Sequence, residues 1–332
     1  MNYIGSKYKL LPFLEESIRY VTGDKLKHKV FCDLFAGTGV VGRYFKNKTQ
    51  QVIANDWEYY SYILNRNYIG NAQLFEASEW ISKLNRLPGV RGFIYQQFSE
   101  GGSAGRLYFS GQNGQKIDAV RAQIQKWYLA EEINDDLYFF LLASLIESAD
   151  KVANTASVYG AFLKKIKPSA AKELMIREAA FEASTQQHRV YQEDSNELIK
   201  RIKGDILYLD PPYNSRHYGA NYHLLNTIAR YIPFHPKGKT GLDAYLKSDF
   251  CSATQVTDAL RTLLEHADFQ YIFLSYNNEG LIPESEIRKI MSSLGTYRLF
   301  RKDYQRFKAD RTERRNHKAD RVEEHLHVLT KS

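Results

Sequence analysis

The chain has 332 residues, 43% of them hydrophobic, enough to build one large domain or two modest ones. No run of about 18 apolar residues occurs, and the first seven residues lack an apolar signal core, so neither a membrane span nor export is expected and the cytoplasm is the expected compartment. Cys32 and Cys251 have no metal-ligand spacing and read as ordinary thiols of a reducing compartment, with no metal site expected, while a net charge of +8 is by itself a weak pointer to nucleic acid.

Taken in chain order, a glycine-containing turn opens the chain and a helix follows to about residue 20, with Leu10, Leu11, Leu14 and Ile18 at helical apolar spacing. Val30 to Phe35 reads as a buried strand. The tight turn Ala36-Gly37-Thr38-Gly39 leads into a helix from Val40 to Lys46. Val52-Ile53-Ala54 is a second strand that ends at Asn55-Asp56, and a tyrosine-rich helix runs on to about Asn67. Strand, helix, strand, helix in this order predicts a doubly wound, Rossmann-like α/β sheet.

From about 72 to 186 the parallel-strand signals fade. A flexible loop is expected at Gly101–Gly105, a strongly apolar helix at Leu137–Ala149, and a basic cluster at Lys164–Lys167 before Pro168. The α/β pattern resumes at Arg189, with strands near Val190–Gln192, Ile206–Asp210 and Tyr271–Ser275. The expected organisation is therefore a catalytic sheet domain over 1–71 and 187–332, interrupted by a mostly helical insert over 72–186. From Arg298 to Arg321 ten Lys or Arg stand against four acids, which suits a phosphate-binding hairpin loop, with a solvated charged face as the competing reading.

The turn Gly37-Thr38-Gly39-Val40-Val41-Gly42 matches the dinucleotide fingerprint, but a lone match of that kind is weak. Its neighbours discriminate. Asp33, four residues before Gly37, would repel a pyrophosphate but suits a cationic ligand such as S-adenosylmethionine, which carries a sulfonium, an ammonium and no phosphate. Asp56, at the end of the next strand, is placed to accept hydrogen bonds from ribose hydroxyls of either cofactor.

The most informative stretch is Ile206-Leu207-Tyr208-Leu209-Asp210-Pro211-Pro212-Tyr213. Two prolines cannot continue a central strand, so the chain must leave the sheet at Asp210, at the edge where such sheets bind ligands. The exocyclic amine of adenine is a poor nucleophile because its lone pair is delocalised into the ring. Two acceptors on its N–H groups, the Asp210 carboxylate and the Pro211 carbonyl, would favour a tetrahedral nitrogen and stabilise its growing positive charge. Tyr213 offers a flat face for an extruded base.

These blocks together resemble the Dam-like DNA adenine methyltransferases. The resemblance rests on Tyr3-Ile4-Gly5-Ser6-Lys7, Asp33-Leu34-Phe35-Ala36-Gly37-Thr38-Gly39, Asn55-Asp56, Asp210-Pro211-Pro212-Tyr213 and Val322-Glu323-Glu324-His325-Leu326, the last being similar to the family's final strand. Their order matches the family's alpha arrangement: cofactor motifs, target-recognition segment, catalytic motif. The resemblance implies that Tyr3, Lys7, Asp56 and Asp210 contact the cofactor region and that Asp194 faces the cofactor's adenine. It implies double-stranded DNA as the partner, with a restriction endonuclease as a possible companion. The family's Arg-x-Asn-x-x-Gly segment has only a loose counterpart in Lys151–Phe162, so no target sequence is transferred.

Asn214-Ser215-Arg216-His217-Tyr218 reads as a loop closing over the extruded base, against a plain solvated loop. With Asn154, Tyr159, Lys164, Arg314 and Arg315, its Arg216 and Tyr218 form the expected DNA contacts, a structural role being the equal competitor for Asn154 and Tyr159. Three rival functions remain: methylation of cytosine-N4 or RNA adenine, a nicotinamide dehydrogenase that leaves Asp210–Tyr213 unexplained, and a non-catalytic DNA-binding protein that gives the three aspartates no reason to converge.

Overall fold

The computed structural model describes residues 6–72, 75–215, 217–245, 247–305 and 321–331. The chain forms two compact units. Among the described residues, one comprises those of 6–57, 184–217 and 247–331; the other comprises those of 58–183 and 218–245.

Among the described residues seven strands occur, all in the first unit: β1 (Val30–Asp33), β2 (Gln51–Asn55), β3 (Arg189–Tyr191), β4 (Lys203–Leu209), β5 (Asp268–Asn277), β6 (Gly295–Gln305) and β7 (Arg321–Lys331). They form one sheet in the order β3-β2-β1-β4-β5-β7-β6. The pairs among β1 to β5 are parallel, and β7 inserts antiparallel between β5 and β6. This bears out the doubly wound α/β reading and extends it with a carboxy-terminal hairpin.

The central strands are apolar on both faces, as parallel strands covered by helices must be. On one face Cys32, Leu34, Leu207, Leu209, Ile272 and Leu274 pack with Val256, Leu260 and Leu263 of helix Val256–His266 and with Ile287 and Met291 of helix Glu284–Ser292. On the other, the ring of Phe31 stacks between Phe45 and Tyr208, at centroid distances of 4.4 and 6.5 Å. Gly204 is required where β4 crosses its neighbours, since a Cβ there would lie 2.7 Å from Phe269 and 2.9 Å from Val30. Period-two alternation puts Asp33, Tyr208, Asp210, Ser275 and Glu324 in phase on the Phe31 face.

The second unit is helical. Helices Gly111–Leu129 and Asp135–Lys151 are joined by five residues and pack together, with Tyr128 stacked on Tyr138 at 4.1 Å. Asn134 caps the second helix by accepting the N–H of Leu137. Two buried charges tie the rest in. Asp118 accepts the amides of Gly92, Ile94 and Tyr95 at the start of helix Phe93–Phe98, and also the Tyr231 hydroxyl. Arg121 donates to the carbonyl of Ala229 near the end of helix His223–Arg230, at 3.1 and 3.0 Å. An acid at a helix start and a base at a helix end each meet the favourable pole of the helix dipole. The glycine segment at 101–105 forms a turn held by the Tyr95 hydroxyl on the Gly101 carbonyl and a bridge between Ser99 and Phe109, rather than a loose loop. No helix among the described residues is long and apolar enough to cross a membrane.

Candidate active site

The sheet changes direction between β1 and β4, and the ends of these strands and of β2 carry three of the sequence-predicted aspartates. Asp33 pairs in register with Ala54 and Tyr208, so Asp210 lies two residues beyond its partner strand's matching position. The turn after β1 is built on two left-handed glycines, Gly37 at φ 51° and Gly39 at φ 78°, and Gly39 starts helix Val40–Phe45. Two amides of this turn and the helix that follows are bound to carboxylates. Gly37 N–H donates to Asp56 Oδ2 at 2.8 Å, and Gly42 N–H donates to Asp33 Oδ2 at 2.9 Å. A dinucleotide turn would instead offer such amides to phosphate.

Asn55 holds these strand ends together. Its Nδ2 donates to the carbonyls of Leu34 (3.2 Å) and Glu193 (3.1 Å), and its Oδ1 accepts the N–H of Glu193 (3.0 Å). Phe35 is half-buried with its ring edge-on to Phe250 at 5.0 Å. Asp194, expected beside an adenine ring, accepts the amides of Asn196 (2.8 Å) and Glu197 (3.2 Å) through one oxygen and so starts the short helix Ser195–Leu198.

Asp210 leaves β4 half-buried, followed by the buried Pro211 and the half-buried Pro212 and Tyr213. The Tyr213 carbonyl accepts the N–H of Leu281 at 3.1 Å and its ring meets Tyr276 edge-on, which fixes the exit of the turn. Lys7 lies against this corner. Its Nζ is 3.2 Å from Asp210 Oδ1 and 2.8 Å from Glu324 Oε1, and Ser275 Oγ also donates to Glu324 Oε1.

Electrostatically the corner has more carboxylates than cations. Burial, aided by the charges of Asp210 and Asp56 and opposed by the Gly42 amide, pushes the Asp33 carboxyl up to about 8. Burial also raises Asp210, to about 6; Lys7 pulls it down and Glu324 pushes it up. Burial works against the Lys7 ammonium, but Asp210 and Glu324 more than offset it and hold its pKa well above the ordinary lysine value. A site of this kind favours a positively charged ligand.

The sequence-predicted DNA contacts do not gather here. Asn154 is fully buried, donates to the carbonyls of Leu107 (2.8 Å) and Leu163 (3.1 Å), and accepts the N–H of Lys167 (2.9 Å). Tyr159 is fully buried with its hydroxyl on Asp150 at 2.9 Å. Of the two readings that the sequence weighed equally for Asn154 and Tyr159, the structure favours the structural one: these side chains spend their polar atoms on folding the helical unit. Lys164 is exposed on a loop, and Tyr218 opens a short helix with its ring stacked parallel to Tyr222 at 6.1 Å. The basic stretch from Arg298 is strand rather than loop as far as Gln305, because it pairs antiparallel with β7; Arg301 is bound to Glu284 at 2.8 Å and Arg298 lies over the ring of Tyr20. Tyr3, Arg216, Arg314 and Arg315 lie outside the described residues.

Sequence reasoning singled out neither Asn55 nor Glu324 as site residues. The signal for Glu324 was available: it is in phase with Leu326 and Val328 on one strand face, where an acid has no solvent to face.

The chain matches the family model described as D12 class N6 adenine-specific DNA methyltransferase over residues 3–290. It is 59% identical to Type II methyltransferase M.NlaIII of Neisseria lactamica, with 100% of each chain covered. It is 36% identical to Type II methyltransferase M.CviAII of Paramecium bursaria Chlorella virus 1, with 93% of each covered. It is also 37% identical to Type II methyltransferase M.FokI of Planomicrobium okeanokoites, where 99% of this chain spans 52% of that one.

Proposed function

This chain belongs to the D12 class N6 adenine-specific DNA methyltransferases, and from that premise we propose that it methylates the 6-amino group of an adenine flipped out of double-stranded DNA at a defined sequence, with S-adenosylmethionine as methyl donor. Family membership sets aside the dehydrogenase and the non-catalytic readings. The observation that carries the account of the site is Asp210, leaving β4 on a rigid two-proline turn with Lys7 Nζ 3.2 Å from one carboxylate oxygen.

The residues present fit a sulfonium cofactor. Asp33, Asp56, Asp210 and Glu324 outnumber the single ammonium of Lys7, and the Gly37 and Gly42 amides that a pyrophosphate would need are bound to carboxylates. Asp33, Phe35, Gly37, Gly39 and Asp56 hold the cofactor in this reading, with Tyr3, Lys7 and Asp194 beside it. When bound it supplies an electrophilic methyl group. Asp210 and the Pro211 carbonyl accept hydrogen bonds from the two amine N–H groups of adenine, which localises the lone pair on nitrogen, and the Asp210 carboxylate stabilises the charge that grows there. No base need remove a proton before attack. Tyr213 stacks on the flipped base.

The helical unit reads the target, and Lys164, Tyr218, Arg216, Arg314 and Arg315 bind DNA. The likeness to Type II methyltransferases supports a place in a restriction-modification system, with a cognate endonuclease and a cytoplasmic location. The test is transfer of labelled methyl from S-adenosylmethionine to unmethylated DNA, followed by mapping of the product. Label on adenine N6 within one recurring sequence supports the proposal; label on cytosine, or none with active protein, overturns it.

A further inference from the structure

We propose that Glu324 is a positioning residue for methyl transfer: it divides the Lys7 ammonium with Asp210, so that Asp210 is held in place without being neutralised. The inference rests on the reading of Asp210 as the acceptor of the adenine amine.

Glu324 lies on β7 opposite Asn277 of β5, and its surroundings on that strand face are Leu326 and Val328. It is 1% exposed. An acid there forfeits hydration, and a fold that needed only a filled strand position would use an apolar side chain. What Glu324 does instead is bind Lys7 Nζ at 2.8 Å, closer than the 3.2 Å from Lys7 Nζ to Asp210. Ser275 Oγ donates to the same Glu324 oxygen and fixes its rotamer from the neighbouring strand. Lys7, Asp210 and Glu324 thus form a chain of carboxylate, ammonium and carboxylate with one negative charge left over.

The consequence for chemistry follows from the competition. An ammonium bound wholly to Asp210 would withdraw the negative charge that has to meet the developing positive charge on the adenine nitrogen. Glu324 draws the ammonium back. Asp210 Oδ1 keeps a contact that sets the plane of the carboxylate, and the group keeps its strength as an acceptor. The charged and titratable groups around Asp210 are Lys7 from the amino-terminal segment, Glu324 from β7, Asp33 from β1, Tyr208 from β4 and Tyr213 from the turn. Among them Glu324 is the one whose charge raises Asp210, and it binds the same cation.

Single-turnover methyl transfer as a function of pH tests this. Glu324→Gln keeps the shape and an acceptor for Lys7 but removes the charge. It is expected to slow transfer roughly ten- to hundredfold, as loss of alignment at a reacting group does, with DNA affinity unchanged. Its rate should rise with pH at a lower midpoint than wild type, because Asp210 loses the neighbour that kept its pKa up. Glu324→Asp should recover part of the rate and move the midpoint back. Ser275→Ala, a milder change that keeps both charges, should slow transfer in the same direction and by less, and it carries the test if Glu324→Gln does not fold. In an Asp210→Asn background the Glu324→Gln change should add no further loss. A slow Glu324→Gln enzyme with the wild-type midpoint, or losses that multiply in the double variant, would overturn the positioning role. Wild-type transfer by Asp210→Asn alone would instead sink the reading of Asp210.

Discussion

At the scale of single residues the strand-end aspartates do different work. Asp210→Ala is expected to leave a folded protein that still binds DNA but transfers methyl roughly a hundred to a thousand times more slowly, the usual cost of about 2.7–4 kcal/mol for one preorganised electrostatic partner. Asp210→Asn should be slow rather than dead, and single-turnover rates on mapped DNA check both. Asp33 gives a prediction with a sign. In the ligand-free protein its carboxyl holds a proton up to about 8, against 3.8 for an ordinary aspartate. A raised folded pKa means that its contribution to stability is present in full below about 3.8 and is lost as pH rises through about 8. An incoming cation favours the carboxylate, so cofactor binding near pH 7 should release up to about one proton, and the stabilisation by cofactor should grow with pH across that window. Calorimetry in two buffers of different ionisation enthalpy reads the proton directly, and equal apparent enthalpies would count against a buried protonated Asp33. Asp56→Ala should weaken S-adenosylmethionine binding roughly ten- to hundredfold through loss of a charged hydrogen bond, and titration calorimetry would show it. The strand-end placement of Asp33, Asp56 and Asp210 was legible because glycines and prolines mark where a strand must stop. The phase of Glu324 with Leu326 and Val328 was legible too, but not its partner Lys7, nor the partners of Asn154 and Tyr159, because a sequence does not say which polar group lies across from a side chain in space.

At the scale of elements, legibility tracks length and purity of pattern. β1, β2, β4 and the helix at Asp135–Lys151 were found because each is a continuous apolar run with a clear stop. β6 was misread as part of a charged loop because its outward residues, Arg298, Arg301 and Lys302 among them, dominate its composition while β7 supplies its pairing. The amino-terminal helix offers an element-scale test. Glu15 on Leu11–Thr22 accepts Lys48 and the Tyr44 hydroxyl, from helix Val40–Phe45 and the turn after it, as well as Arg19 of its own helix. Burial raises its pKa, but those hydrogen bonds outweigh it and bring the carboxyl down from 4.5 to about 2. A depressed carboxylate stabilises the fold above its unfolded value and loses that contribution as pH falls through the folded one. Glu15→Gln should therefore be less stable than wild type at neutral pH, by a modest amount at so wet a site, and the difference should shrink between about 4.5 and about 2. Urea denaturation of both proteins at several pH values measures it, and a pH-independent difference would mean that the contact is packing rather than charge.

At the scale of the whole molecule the sequence indicates an interrupted sheet domain, but the compact units divide at other places than 72 and 186. Residues 58–71 and 218–246 belong to the helical unit, the latter because Asp118 and Arg121 bind the segment around Tyr231 and Ala229. Exchanging Glu58–Ala183 together with Tyr218–Leu246 for the matching segments of a relative with another target should change the sequence methylated, and an active chimera that keeps its original site would refute target reading by this unit. Charge reversal at the exposed Lys164 and Lys165 should weaken binding to all DNA sequences alike and flatten the dependence of log affinity on log salt by on the order of one per lost phosphate contact; an unaltered slope would leave that loop out of the interface. The interruption also sets an order of events in synthesis. The amide of Val30 at the start of β1 bonds to the carboxylate of Asp205 on β4, 175 residues later. At ordinary elongation speeds β1 waits roughly ten to thirty-five seconds for that partner. Most of the helical unit emerges in the interval and can collapse on its own contacts, while β1 presents an unpaired apolar edge of the kind that other chains can extend. A ribosome that stalls anywhere between β2 and β4 thus carries only two or three of the seven strands, open on the side that Asp210 will later complete.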